Sequence, residues 1–221
     1  MSVLIALPCY GGNVSEKTTT GLFNLGKRLY ENGIDHGLLT LANESLISRG
    51  RSRIVNFFMN NTEYDYLFFL DSDIGFSSDD FFELWKHKDL NMVSGAYPMK
   101  SVEIQYNYNL VKPVNVIREN VAEITGIGLG FSLIAREVFS SVANKFPELK
   151  HMPSTKGSLV PLTNAELENS YHFFVERKIG QSFLPEDHSF FSRANDCGYK
   201  SWLCGSIALS HTGYHVFKEE R

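Results

Sequence analysis

Two aspartates one residue apart, Asp71 and Asp73 with Ser72 between them, end the apolar run Tyr66 to Leu70. A buried strand has no packing use for charge at its tip, and two like charges this close repel unless something cationic lies between them. Hard divalent cations such as Mn²⁺ and Mg²⁺ take oxygen ligands, usually one or two carboxylates plus the phosphates of a substrate and water. Two carboxylates where a strand opens into a loop can therefore reach a metal and a ribose hydroxyl together. The tripeptide alone serves equally as a turn or as the cap of the following helix, since D-x-D arises often by chance.

Glu186 and Asp187 follow Pro185, and Phe190, Phe191 and Ala194 then recur at helical spacing, so the acidic pair lies at or just before a helix N-terminus. An N-cap box accounts for such a pair. A carboxylate beside an acceptor hydroxyl can also serve as general base, and adjacent residues can divide the two roles. His211 and His215 follow the apolar stretch beginning at Trp202. Imidazole is an acceptable ligand for Mn²⁺. Their i, i+4 spacing shares a face only in a helix, which Gly213 opposes, so His211 is the one expected to act.

The elements that must hold these residues alternate. "SVLIAL" is a short strand closed by Pro8 and the Gly11-Gly12 turn. A helix follows with Leu22, Leu25 and Leu29 on one face and Gly33 as its stop. "DHGLLTLA" is a second strand. Residues 48–61 form a helix with Ile54, Phe57 and Phe58 on one face and Arg49, Arg51 and Arg53 before them. After the strand bearing Asp71 and Asp73, the run Ser77-Ser78-Asp79-Asp80 can cap the helix "DDFFELWKH", and "NMVSGAYP" is a further strand. This β-α-β-α-β-α-β order is that of a parallel sheet covered on both faces, whose ligands sit outside the carboxyl ends of the strands. Asp71, Asp73, Pro8, Tyr10 and the turn from Gly95 to Lys100 all lie at such ends. In the second half, "EIQYNYNL" and "VNVIREN" look like antiparallel hairpin strands, followed by a glycine-rich strand leading into a helix. The proline-punctuated stretch from His151 to Ser170 is expected to be a mobile loop.

The bulk numbers bound these readings. A chain of 221 residues is long enough for one α/β domain with a full core. With 43% apolar and 21% charged residues and a net charge of −4, it has no electrostatic footprint for nucleic acid. Three cysteines, Cys9, Cys197 and Cys204, contain no C-x-x-C pair, so neither a disulfide framework nor a thiolate zinc site is indicated, and a reducing compartment fits best. No apolar run approaches the ~18 to 20 residues that span a bilayer, and the N-terminus lacks a basic signal region. The chain stops shortly after a motif, which fits a domain cut from something longer and leaves membrane contact through a partner or a following segment open.

Taken together, "LIALPCYGG", "FFLDSDIGF", "PEDHSFFSRANDCGYK" and "SHTGYH" resemble four successive motifs of the GT-A fold glycosyltransferases, especially the family 2-like, metal-dependent group. The resemblance spans nearly the whole chain, and its compactness is similar to that of small transferase domains encoded by large chlorella viruses and phages. It implies one α/β GT-A domain over 1–221: a Rossmann-like nucleotide-binding half (about 1–100) with a mixed central sheet, and an acceptor-binding half (about 101–221). The donor is then a nucleoside-diphosphate sugar, UDP favoured, and the acceptor a glycan or glycoprotein hydroxyl. The cofactor is Mn²⁺ or Mg²⁺, and the location is cytoplasmic, the host's if the chain is viral. Residue by residue, the resemblance implies Pro8 and Tyr10 at the nucleobase. It implies one or two of Arg49, Arg51 and Arg53 at the base or diphosphate, where guanidinium matches phosphate geometry; a solvated helix start would place the same three arginines. It further implies Asp71 and Ser72 at the nucleotide, Lys100 near the donor sugar, and Asp71, Asp73 and His211 as metal ligands. Asp187 becomes the base of an inverting enzyme, with Glu186 as fallback, and Gly126 to Gly130 let the backbone approach the sugar or acceptor.

The family's Q-x-x-R-W-type segment is absent, which disfavours processive synthesis, and a retaining enzyme of this fold has no need of Asp187 as base. Two alternatives remain at this stage. A sugar nucleotidyltransferase calls for a basic glycine-rich loop after strand one, whereas "PCYGGNVSEKTT" has no arginine and only Lys17. A non-catalytic carbohydrate-binding domain of the same fold would have no use for both aspartates, the Glu186-Asp187 pair and His211.

Overall fold

Side chains alternate across a strand, so each central strand divides its apolar residues between two cores. The computed structural model describes residues 1–101, 103–151 and 163–213. In chain order the elements are β1 (Ser2–Cys9), α1 (Glu16–Glu31), β2 (Asp35–Ala42), α2 (Ile47–Asn61), β3 (Tyr66–Leu70), β4 (Ile74–Gly75), α3 (Ser78–Lys86) and β5 (Met92–Gly95). Then come β6 (Tyr108–Leu110), β7 (Val116–Arg118), β8 (Val121–Ile127), β9 (Phe131–Ala135), α4 (Arg136–Lys145), α5 (Asn164–Glu168), β10 (Arg177–Ile179), β11 (Ser182–Leu184), α6 (Glu186–Asp196), β12 (Ser201–Cys204) and β13 (Ser210–His211).

The main sheet runs β2-β1-β3-β9-β5-β12-β8-β6, with β7 also on β8. Leu4, Ala6, Leu67 and Phe69 face one core, shared with Ile54 and Phe58 of α2, Phe139 of α4 and Phe190 of α6. Val3, Ile5, Phe68 and Leu70 face the other, shared with Leu25 and Leu29 of α1 and Phe81 and Leu84 of α3. The result is a three-layer α/β/α arrangement. Among the described residues no helix is long and apolar enough to cross a membrane.

Several expectations need correction. β1, β2 and β3 are parallel, as are β5 and β12, but β9 enters antiparallel between β3 and β5. The sheet is therefore mixed, as the resemblance implied, and not the all-parallel one that the element order of the first half suggests by itself. β9 is buried along its whole length, and its one interior hydroxyl, on Ser132, is 2.7 Å from the hydroxyl of Ser94 in β5, so no polar group there is left unpaired. β6 and β7 do not form a hairpin with each other; both pair with β8, at different positions along it. The stretch from His151 to Ser170 includes the short helix α5, capped reciprocally by Thr163 and Glu166. Residues 152–162, the centre of the expected mobile loop, lie outside the described residues, and so does His215.

Helix starts follow the side chains present. Ser15 accepts a hydrogen bond from the Thr18 amide at the head of α1. Ser77 and Asp80 cap α3 as a reciprocal box, and the second Asp80 oxygen accepts from the Ala208 amide at 3.2 Å.

Phe68 sits fully buried at the centre of the α1/α3 core, edge-on to Phe81 at 5.0 Å and to Phe131 at 4.9 Å. Phe68→Ala is expected to lower unfolding stability by about 3–5 kcal/mol, measured as a shift in the urea midpoint at unchanged slope. A loss under about 1 kcal/mol would mean the ring is not tightly packed.

Candidate active site

The carboxyl ends of β1, β3 and β5 open on one edge of the sheet, and the acidic residues converge there. β3 stops at Leu70, so Asp71 to Asp73 form a turn, fixed through its own main chain. The Asp71 amide donates to Gly130 O at 2.9 Å, the Ser15 amide to Ser72 O at 2.8 Å, the Ile74 amide to Asp71 O at 3.1 Å and the Thr212 amide to Asp73 O at 2.8 Å. Ser72 thus contributes its carbonyl to the head of α1.

At the centre is Arg51, on the second turn of α2 and 4% exposed. Its Nη1 donates to Glu186 Oε1 at 2.8 Å, and its Nη2 lies 3.1 Å and 3.3 Å from the two Asp71 oxygens. Burial alone disfavours the guanidinium charge; Asp71 foremost, then Tyr97, Glu186 and Asp187, outweigh it, and the net displacement of its pKa is upward. One donor is unmatched: Arg51 Nε is buried without a partner. The same negative field reaches other groups. Burial first and Asp71 second push up both the Cys9 thiol and the Tyr97 phenol, so both stay protonated at neutral pH.

Asp73 has a different environment. Lys100 Nζ is 2.5 Å from one oxygen and His211 Nε2 is 3.4 Å from the other. His211 arrives there because β13 pairs antiparallel with β4, placing His211 opposite Ile74. Its Nδ1 is 2.9 Å from Pro98 O. A carbonyl can only accept, so this nitrogen carries a proton, and Nε2 is the ring nitrogen aimed at Asp73. Ring orientation by a carbonyl on the far nitrogen is the usual arrangement of a metal-ligating histidine. Tyr97 packs edge-on against the imidazole at 5.3 Å.

The acidic pair splits its roles. Pro185, not a side chain, occupies the N-cap position of α6. Glu186 reaches out to Arg51, while Asp187, 7% exposed, accepts the His188 amide at 2.7 Å. Gly126 and Gly130 are required here, and by protein groups. A Cβ on Gly130 would fall 2.6 Å from Asp71 Oδ2, and one on Gly126 would fall 2.5 Å from His188 Nδ1. The space expected for a sugar against these glycines holds Asp71, Tyr97 and His188.

The structure thus brings Arg51, Asp71, Glu186 and Asp187 into one group and Asp73, Lys100 and His211 into an adjacent one. Among the described residues Asp71, Asp73 and His211 do not form a group at ligand spacing, and Asp71 is instead paired with Arg51. Of the three arginines Arg51 is paired with Asp71 and Glu186. Arg49 makes a two-point pair with Glu44 at 2.6 and 2.7 Å, and Arg53 also acts on Glu44. β1 runs past Pro8, which pairs with Leu41, and ends one residue later at Cys9, and Tyr10, 73% exposed in the turn Tyr10–Gly12, leaves its ring free to stack. Tyr97 was not singled out from the sequence; its place between the expected strand end and Lys100 was the available signal.

No protein-family model and no curated protein sequence matches the chain. Solved structures do match in fold. A protein from STIV superposes with a TM-score of 0.54 at 18% identity, over 100% of this chain and 99% of the other. The catalytic domain of Drosophila beta1,4-galactosyltransferase 7, in complex with xylobiose, gives 0.51 at 14% identity, over 96% of this chain and 71% of that one. GalNAc-T7 with UDP, GalNAc and Mn²⁺ gives 0.50 at 10% identity, over 96% of this chain but only 44% of that one. The chain has the mixed α/β architecture of the GT-A glycosyltransferases.

Arg51→Met should strand two carboxylates and cost about 3 kcal/mol, the lower end for a broken buried pair, since Asp71 and Glu186 keep 23% and 21% of their side chains in water. Adding Asp71→Asn and Glu186→Gln should return most of that loss. A triple variant no more stable than Arg51→Met, by urea unfolding, would contradict the assignment.

Proposed function

We propose that the chain is a metal-dependent glycosyltransferase that moves a sugar from a nucleoside-diphosphate sugar, UDP favoured, to a hydroxyl acceptor such as a glycan. One observation carries this reading. At the carboxyl edge of a GT-A sheet, Asp73 faces an imidazole whose other nitrogen is committed to Pro98 O. That donor set, a carboxylate oxygen and an imidazole nitrogen, accommodates Mn²⁺ more readily than the strictly oxygen-seeking Mg²⁺ once substrate phosphate oxygens complete the shell.

Asp73 and His211 would hold the ion, and Asp71, paired with Arg51, would meet the ribose. A divalent cation there supplies positive charge against a departing diphosphate. The chain's own cations act on the same charge: Arg51 lies beside Asp71, and Lys100 beside Asp73. Asp187 takes the proton from the acceptor hydroxyl as the new glycosidic bond forms and the bond from the sugar to the diphosphate breaks. Glu186 is ion-paired to Arg51, which leaves Asp187 as the better base. Residues about 1–100 then serve the donor and about 101–221 the acceptor, in one GT-A domain. Tyr10, beside Pro8, offers an exposed ring to a nucleobase.

Release of nucleoside diphosphate from candidate nucleotide-sugars should depend on Mn²⁺ and stop with chelator. Asp73→Ala should abolish metal-dependent binding of a donor analogue in calorimetry. Asp187→Asn should leave that binding near normal and slow transfer roughly 10²- to 10⁴-fold. Equal loss of binding in both variants would refute this division of roles, and metal-independent behaviour across all donors would refute the enzyme.

A further inference from the structure

We propose a second, chemically distinct metal site, for Zn²⁺ or a similar transition ion, formed by Glu83, His87 and Cys204. Among the described residues these three place a carboxylate oxygen, an imidazole nitrogen and a thiol sulfur all within 4.8 Å of one another. Glu83 lies in the last turn of α3 and His87 is the residue that caps the helix, four positions on, while Cys204 is the last residue of β12. The cysteine spacing in the sequence indicated no thiolate site; the fold supplies one from residues far apart in the chain.

The ligand set decides the ion. Thiolate and imidazole select zinc-like metals, whereas Mn²⁺ and Mg²⁺ prefer carboxylate and phosphate oxygen. With Glu83 ionised and Cys204 deprotonated by binding, a divalent ion is charge-neutral, and three protein ligands plus water make the usual open tetrahedron. Cys204 is 1% exposed while Glu83 and His87 are half-buried, so water can reach the fourth position. Ser206 Oγ lies 3.3 Å from Cys204 Sγ and can donate to the thiolate. Two neighbours must yield: Lys86 pairs with Glu83, and Arg118 Nη1 is 3.2 Å from His87 Nδ1. Arg118 loses little, since its fork also grips both Asp89 oxygens. The bound ion would join α3 to β12, the strand leading into the segment that carries His211.

Cobalt reports the site directly. Co²⁺ titrated into the reduced, chelator-treated protein should give a thiolate-to-cobalt charge-transfer band at one ion per chain, displaced by Zn²⁺ and unaffected by Mg²⁺. The band should persist in Asp73→Ala and vanish in Cys204→Ser. His87→Gln and Glu83→Gln should weaken cobalt binding roughly 10-fold or more; their half-buried side chains keep the test available should Cys204→Ser fail to fold by circular dichroism. Zn²⁺ should raise the melting temperature of the wild type and not of His87→Gln. Absence of the band in folded wild-type protein, or its survival in folded Cys204→Ser, would overturn the proposal.

Discussion

The site depends on one buried cation. Arg51 is nearly inaccessible to solvent, and the charge it carries is tolerable only because Asp71 at the end of β3 and Glu186 at the start of α6 flank it. Both carboxylates are ion-paired to it, and the Tyr97 phenol and Cys9 thiol feel the negative charge of Asp71 in the same cluster. The ion pair also joins elements distant in sequence, the helix before the acidic turn and the helix that opens with Glu186. Arg51 Nε, the one buried side-chain donor left unmatched among the described residues, marks the remaining imbalance in this arrangement.

Around that pair, the chain uses backbone more than side chains to fix the chemistry. The acidic turn is gripped by Gly130 O and by the amides of Ser15 and Thr212. α2 is tied to the segment before β10 by Asn56, which both donates to and accepts from the main chain of Tyr171. Two glycines allow Asp71 and His188 to press against β8 and the turn that follows it. Such main-chain anchoring leaves the side chains of Asp73, Lys100 and His211 at the cleft surface, each half-buried or more exposed.

Much of this was legible in the sequence for physical reasons. β2 was recovered to the residue, and α2 to within one, because alternation and helical spacing report burial directly. The capping of α3 by Ser77 and Asp80 follows from local chemistry. Strand direction is another matter: β9 is apolar on both faces whichever way it runs, so nothing in its own residues says antiparallel. β4 and β13 have two residues each and no periodicity to read. Arg49, Arg51 and Arg53 are chemically identical, and only the rotation of α2 sends Arg51 to Asp71 and Arg49 to Glu44. The grouping of Glu83, His87 and Cys204 has no local signature, since its members meet only after β12 joins the sheet.

The two-residue ladder between β4 and β13 has an effect on assembly. Gly75 and Ser210 stand 135 positions apart along the chain, so their pairing closes a loop that spans most of it. Pairings of such long separation form late, after shorter loops have closed. The imidazole beside Asp73 is therefore a product of complete folding, and a nascent or partly unfolded chain would present the acidic turn without it. The position of His211 relative to Asp73 is thus tied to that long-range pairing.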